Sequence, residues 1–180
     1  MNFLNVLPNR KDHFIGSLEA PVILVEYGDY ECPHSAKSFA WMNLILDEFK
    51  KDVCFVFRHF PMGLIHPHSI LAAFAAESAA IRNSFWEMHE LLFKNYRNLS
   101  VESILEISEQ LKFNNNTTTD EINRDAIINH IINDILSGEQ SGVTSTPSYF
   151  LNGRQLEGPL NVEMLIQSID NVLKGRMIPA

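Results

Sequence analysis

Cys32-Pro33-His34-Ser35 is the segment of this sequence best equipped for chemistry. It lies where an apolar strand gives way to a helix opened by Pro33. There the unpaired N–H groups and the positive end of the helix dipole favour a thiolate over a thiol. A thiolate so placed is a nucleophile and, towards disulfides, an exchange reagent. The opposing reading is an inert, half-buried cysteine, and the strand-to-helix position argues against it. His34 stands beside the thiol either as a donor to the thiolate or as exposed surface in the first helical turn. Ser35 either donates a hydrogen bond to the sulfur or simply begins a helix, where serine is common.

Glu26 sits in the apolar strand six residues before Cys32. A carboxylate buried there takes or relays a proton once burial raises its pKa. The alternative is a strand-edge acid with a basic neighbour. Cys54, in the middle of an apolar strand, reads as a packed and unreactive side chain. His66-Pro67-His68 has the look of a metal pair, but its spacing does not reproduce known zinc sites and no cysteine accompanies it, so no metal is assigned. His59 and His89 read as packing or hydrogen-bonding residues of a helical block. Phe85, Trp86 and Phe93 read as core or groove lining.

The elements that must position these groups follow from the pattern of apolar residues. Val22 to Tyr27 and Val53 to Phe57 are short, β-branched apolar runs, the signature of strands buried on both faces. Between them Phe39, Met42, Ile45, Leu46 and Phe49 recur at helical spacing over about four turns, and Pro33 fits the first turn because its missing N–H has no partner there. Residues 66 to 138 then read as almost wholly helical, with helices over Ile70 to Ile81, Phe85 to Tyr96, Val101 to Leu111 and Ile122 to Leu136. Thr118 and Glu121 form a capping box for the last of these. Strand signals return at Tyr149 to Leu151 and Arg154 to Glu157 across the tight Asn152-Gly153 turn, and a helix over Val162 to Leu173 closes the order. Residues 1 to 20 are weakly patterned and read as a lead-in. The order is β-α-β, a helical block, then β-β-α, and the fold class is α/β.

At this point the residues carry a resemblance. Glu26-Tyr-Gly-Asp-Tyr-Glu-Cys-Pro-His, Phe57-Arg-His-Phe-Pro61, His66-Pro-His68, Phe85-Trp-Glu-Met-His89, Gly142-Val-Thr-Ser-Thr-Pro147 and Phe150-Leu-Asn-Gly153 resemble the DsbA-like branch of the thioredoxin superfamily. The likeness runs from about Pro21 to Leu173, and it implies a single thioredoxin domain (about 20–62 and 142–175) with a helical insertion (about 63–141). It implies that Cys32 attacks disulfides, that Pro147 is a cis-proline facing it, and that Pro33, Thr146 and Pro147 meet the substrate, the Thr146 backbone pairing with an extended chain. Ser35 departs from the pattern, because the family normally has its second cysteine there. A serine hydroxyl cannot resolve a mixed disulfide. The resemblance therefore implies a one-thiol oxidoreductase that needs an external thiol such as glutathione as co-substrate, with no bound metal or organic cofactor.

Composition narrows the partners. The chain has 180 residues, 46% of them hydrophobic and 20% charged, which fits one globular domain. Its formal charge of -8 lacks the basic footprint used against phosphates, so nucleic acid is not expected. No apolar run approaches the length of a membrane span, and polar residues from Asn2 to Asp12 interrupt any signal-peptide core, so a cytoplasmic protein is expected, or a periplasmic one if a signal has been removed. The expected partners are protein or small-molecule thiols and disulfides. Two other readings stay open: a glutathione-dependent transferase or isomerase of related fold, and a non-catalytic peptide binder using the proline-containing strand edge.

Overall fold

A computed structural model describes residues 2–111, 123–158 and 160–176. The five strands are β1 (His13–Ile15), β2 (Val22–Gly28), β3 (Val53–His59), β4 (Ser148–Leu151) and β5 (Arg154–Gln155), in the sheet order β1-β3-β2-β4-β5. The two apolar runs lie in the middle. β2 pairs with β3 in parallel and with β4 antiparallel, so both of its edges are covered and its faces carry apolar side chains. The parallel pair requires a crossover, which is α1 (Pro33–Phe49).

The period of two in β2 and β3 divides the core. Val22, Leu24, Phe55 and Phe57 pack with Met42 and Ile45 of α1 and with Leu165 and Ile169 of α6 (Val162–Leu173). Val25, Tyr27, Cys54 and Val56 pack on the other face with Leu4, Phe60 and Phe150. Each such side chain, fully buried, contributes on the order of 1.5–3 kcal/mol. Glu26 shares a face with Leu24, and this period turns its carboxylate towards α1.

Among the described residues four α-helices stand between β3 and β4: α2 (Ser69–Ala80), α3 (Phe85–Lys94), α4 (Val101–Gln110) and α5 (Arg124–Gln140). α2 is buried over much of its girth because Ala72, Ala73, Ala75, Ala76 and Ala79 allow close approach. Ser100 and Ser103 form a reciprocal capping box for α4. The Thr118 and Glu121 box, with the helix start at Ile122, lies outside the described residues. The described helix begins at Arg124 under Asn123, whose side chain accepts the N–H of Ala126.

The first twenty residues depart from the lead-in reading. His13, Phe14 and Ile15 pair antiparallel with Phe57, Val56 and Phe55 and so cover the outer edge of β3. Leu4 and Gln155 tie the chain start to the β4–β5 hairpin through the bonds Leu4 N–H to Gly153 C=O and Gln155 N–H to Asn2 C=O. A three-residue strand is too short to show alternation, so its existence depends on the edge it meets. In the hairpin, Asn152 and Gly153 take φ of 47° and 83°, the left-handed pair that a two-residue turn of matching twist requires.

Candidate active site

Cys32 is the N-cap residue of α1, with φ -76° and ψ 121°. Its N–H donates to the Asp29 carbonyl at 3.1 Å and its carbonyl accepts from Ala36 N–H at 3.0 Å, which fixes the sulfur at the sheet's C-terminal end. The side chain is 4% exposed. Its sulfur makes no capping bond to the helix; instead the thiol donates to the Thr146 carbonyl at 3.2 Å. The Thr146–Pro147 peptide bond is cis. Pairing of β4 with β2 starts at Ser148, so Thr146 lies ahead of the ladder with its backbone beside the sulfur.

The remaining residues named from sequence are placed as follows. Pro33 and His34 are exposed in the first turn of α1, and among the described residues no hydrogen bond joins the His34 ring to Cys32. Ser35 is fully buried, and its Oγ accepts the Asp29 N–H at 3.3 Å. Among the described hydrogen bonds none runs from Ser35 to the sulfur, so the hydroxyl serves the loop that precedes the helix. Cys54 is buried, and burial, reinforced by the negative charge of Asp12, pushes its thiol up to about 11.

Glu26 lies in the central strand, which removes the edge-strand reading. It is 2% exposed, and burial raises its carboxyl from the ordinary 4.5 to about 7 against the opposing hydrogen bonds of Tyr149 and Ser38. Tyr149 OH donates to Oε2 at 2.8 Å, and Ser38 Oγ stands 3.2 Å from Oε1. Ser38 has one proton, and its better acceptor is the Ser35 carbonyl at 2.9 Å. A protonated Glu26 then donates to Ser38 Oγ, giving a satisfied chain from carboxyl to Ser38 to the first turn of α1. The neutral acid therefore fits this site as well as the anion does.

Two acidic residues escaped the sequence reading. Asp29 accepts from the N–H of Glu31 and of Met62, each at 2.8 Å, and pairs with His66 Nδ1 at 2.7 Å. Glu31 accepts from the His68 N–H at 2.7 Å and pairs with its Nδ1 at 3.0 Å. The two acids thus fasten the loop before Cys32 to the loop that enters the helical block. The signal was present in the spacing: acids two residues apart meet histidines two residues apart. Each ring pairs through Nδ1 with its own carboxylate, which ties the His-Pro-His segment to the loop before Cys32. His89 is held neutral well below the usual range by burial and by the charges of His59 and His13, and its Nδ1 lies 3.0 Å from Tyr30 OH.

A family model described as Thioredoxin matches residues 8–171. The chain belongs to the thioredoxin family. Within it, the fold is that of the DsbA-like proteins. The chain superposes on the thiol-disulfide exchange protein alpha-DsbA2 of Wolbachia pipientis with a TM-score of 0.79 at 21% identity, covering 91% of this chain and 88% of that one. A periplasmic thioredoxin-like protein of Salmonella enterica serovar Typhimurium gives 0.76 at 19% identity, covering 91% and 90%. At these identities the likeness is one of fold. A sequence relative, the Na(+)/H(+) antiporter NhaA 3 of Salinispora tropica, is 35% identical over 162 residues, 90% of this chain and 24% of the relative. The chain thus spans about a quarter of that relative's length. Among the described residues no helix is long and apolar enough to cross a membrane.

Proposed function

We propose that this thioredoxin-family protein is a thiol-disulfide oxidoreductase that works with one catalytic thiol. The observation that carries the reading is the Cys32 sulfur, set at the start of α1 against the Thr146 backbone with a serine at position 35. In the first step the Cys32 thiolate attacks one sulfur of a substrate disulfide. The Cys32–substrate bond forms, the substrate S–S bond breaks, and the leaving thiolate takes up a proton. In the second step an external thiolate such as glutathione attacks the mixed disulfide at the substrate sulfur and restores the Cys32 thiolate. Ser35 cannot take this second role. Glu26, balanced between its acid and its anion near neutral pH, is the group proposed to accept or relay the Cys32 proton. Pro33 and His34 form the exposed lip, and the Thr146 backbone with Pro147 supplies the surface along which an extended substrate lies.

Glutathione is the proposed co-substrate, with no organic cofactor needed for the exchange. Proteins or small molecules bearing disulfides are the proposed partners. A reducing compartment such as the cytoplasm supplies the regenerating thiol; in a periplasm another thiol would have to do so. The test is intact-mass spectrometry after exposure to oxidised glutathione. One glutathione added to the parent, and none to Cys32→Ala, supports the reading. No adduct on the folded parent contradicts it and favours a peptide binder, whereas glutathione held without a covalent bond points to a transferase.

A further inference from the structure

A second cluster of ligand-type side chains joins the sheet edge covered by β1 to the helical block. His13 of β1 and His59 of β3 both direct Nε2 at the same oxygen of Glu77 in α2, each at 2.7 Å. The two nitrogens and the oxygen all lie within 4.8 Å of one another. A third imidazole, His130 of α5, brings its Nε2 to 3.8 Å from that same oxygen and to 3.8 Å from Asp134 Oδ2, too far to be a hydrogen bond to either. One carboxylate oxygen has two lone pairs, and the first two rings use both. His130 converges on a site that hydrogen bonding alone has already filled.

We propose that His13, His59, Glu77 and His130 bind one divalent zinc-class cation. The cation sits among the four atoms and takes a lone pair from each, and the two Nε2 protons that now point at Glu77 are released to solvent as it binds. Imidazole and carboxylate without thiolate suit zinc and its borderline neighbours. Zinc bonds of about 2.0–2.2 Å in a tetrahedron place ligand atoms about 3.3 Å apart. The two 2.7 Å contacts must therefore open by about 0.6 Å and the 3.8 Å approach close by about 0.5 Å, shifts within side-chain reach.

The surroundings suit a resident ion. Phe85 stacks on the His13 ring at 3.5 Å between centroids and fixes its plane. His59 and Glu77 are buried, while His13 and His130 are partly exposed, and a cavity of about 370 Å³ lined in part by Asp12, His130 and Asp134 reaches the cluster from solvent. It offers a path of entry at His130. The four ligands come from β1, β3, α2 and α5, so the ion would tie the helical block to the sheet. The sequence reading assigned no metal because it weighed only His66 and His68; this cluster joins residues as far apart as 13 and 130.

The experiment uses the full chain as Cys32→Ala, so that no reactive thiol competes, stripped with a chelator and titrated with zinc ion by calorimetry. One equivalent bound, with a thermal midpoint that rises with zinc concentration, supports the site. His130→Ala, the most exposed of the four, and Glu77→Gln should each weaken binding by about tenfold or more. If Glu77→Gln fails to fold, as judged by circular dichroism, His130→Ala decides alone. Less than one equivalent on the folded protein, affinity unchanged in the folded variants, or binding of copper or nickel but not zinc overturns the proposal.

Discussion

Replacing Glu26 with glutamine should change how stability depends on pH. The Glu26 carboxyl is raised from 4.5 to about 7, chiefly by burial. A raised carboxyl in the folded state holds its proton where the unfolded chain has released it. Its stabilising contribution is therefore fully present below pH 4.5 and is lost as pH rises through about 7. The displacement corresponds to about 3 kcal/mol, an upper bound because water entry and relaxation reduce it. Glutamine is neutral at every pH, can accept from Tyr149 OH, and can donate to Ser38 Oγ as the protonated acid does. Urea unfolding from pH 5 to pH 8 should show the parent losing stability relative to Glu26→Gln, with the variant more stable by about 2–3 kcal/mol at pH 8 and near parity at pH 5. Asp134, also raised by burial, is common to both proteins and cancels in the difference. Identical pH slopes in parent and variant would refute the reasoning, because Glu26 would then be solvated or ionised throughout.

Alkylation with a thiol reagent at pH 7 should label Cys32 in the folded protein and leave Cys54 unlabelled, since burial holds the Cys54 thiol up at about 11; peptide mapping reads the site, and equal labelling would reverse the assignment of the reactive sulfur. Asp29→Ala should destabilise the protein by about 3 kcal/mol, because the N–H groups of Glu31 and Met62 and the His66 ring lose their acceptor, and hydrogen exchange at Met62 should speed up accordingly. Gly28→Ala should also destabilise, since a Cβ there would lie 2.4 Å from the Phe57 ring; a thermal midpoint equal to the parent's would show that the ring moves aside freely.

Val22 to Tyr27 and Val53 to Phe57 were legible in the sequence because continuous apolar runs are what doubly covered strands require. The helix over Val162 to Leu173 was legible from its apolar spacing, and its observed bounds are the same. β1 was not legible: three residues carry no period, and only the exposed edge of β3 makes them a strand. At the site, Cys32 was readable from its place before Pro33, whereas the partners of Glu26 were not, because Ser38 and Tyr149 stand 12 and 123 residues away and meet it only once α1 and β4 pack on β2. The sulfur's bond to the Thr146 carbonyl likewise depends on bringing together residues 114 apart. The Asp29 and Glu31 clamp left a matching spacing in the sequence, but an acid two residues from another carries no meaning until its histidine partners, 37 residues on, are known.

We propose that exchange at this site runs on one sulfur, Cys32, with Ser35 standing where a second would be needed. Oxidative refolding of a reduced, unfolded protein by the catalyst pre-equilibrated with oxidised glutathione and then freed of it tests this directly, comparing the parent with Ser35→Cys. Residues three apart at a helix start share a face and bring their sulfurs within bonding range. The parent should deliver no turnover without added glutathione and should accumulate mixed disulfides with substrate. Ser35→Cys should form an internal disulfide and pass it on. Catalytic oxidation by the unaided parent, or a Ser35→Cys variant that forms no internal disulfide, would contradict the account.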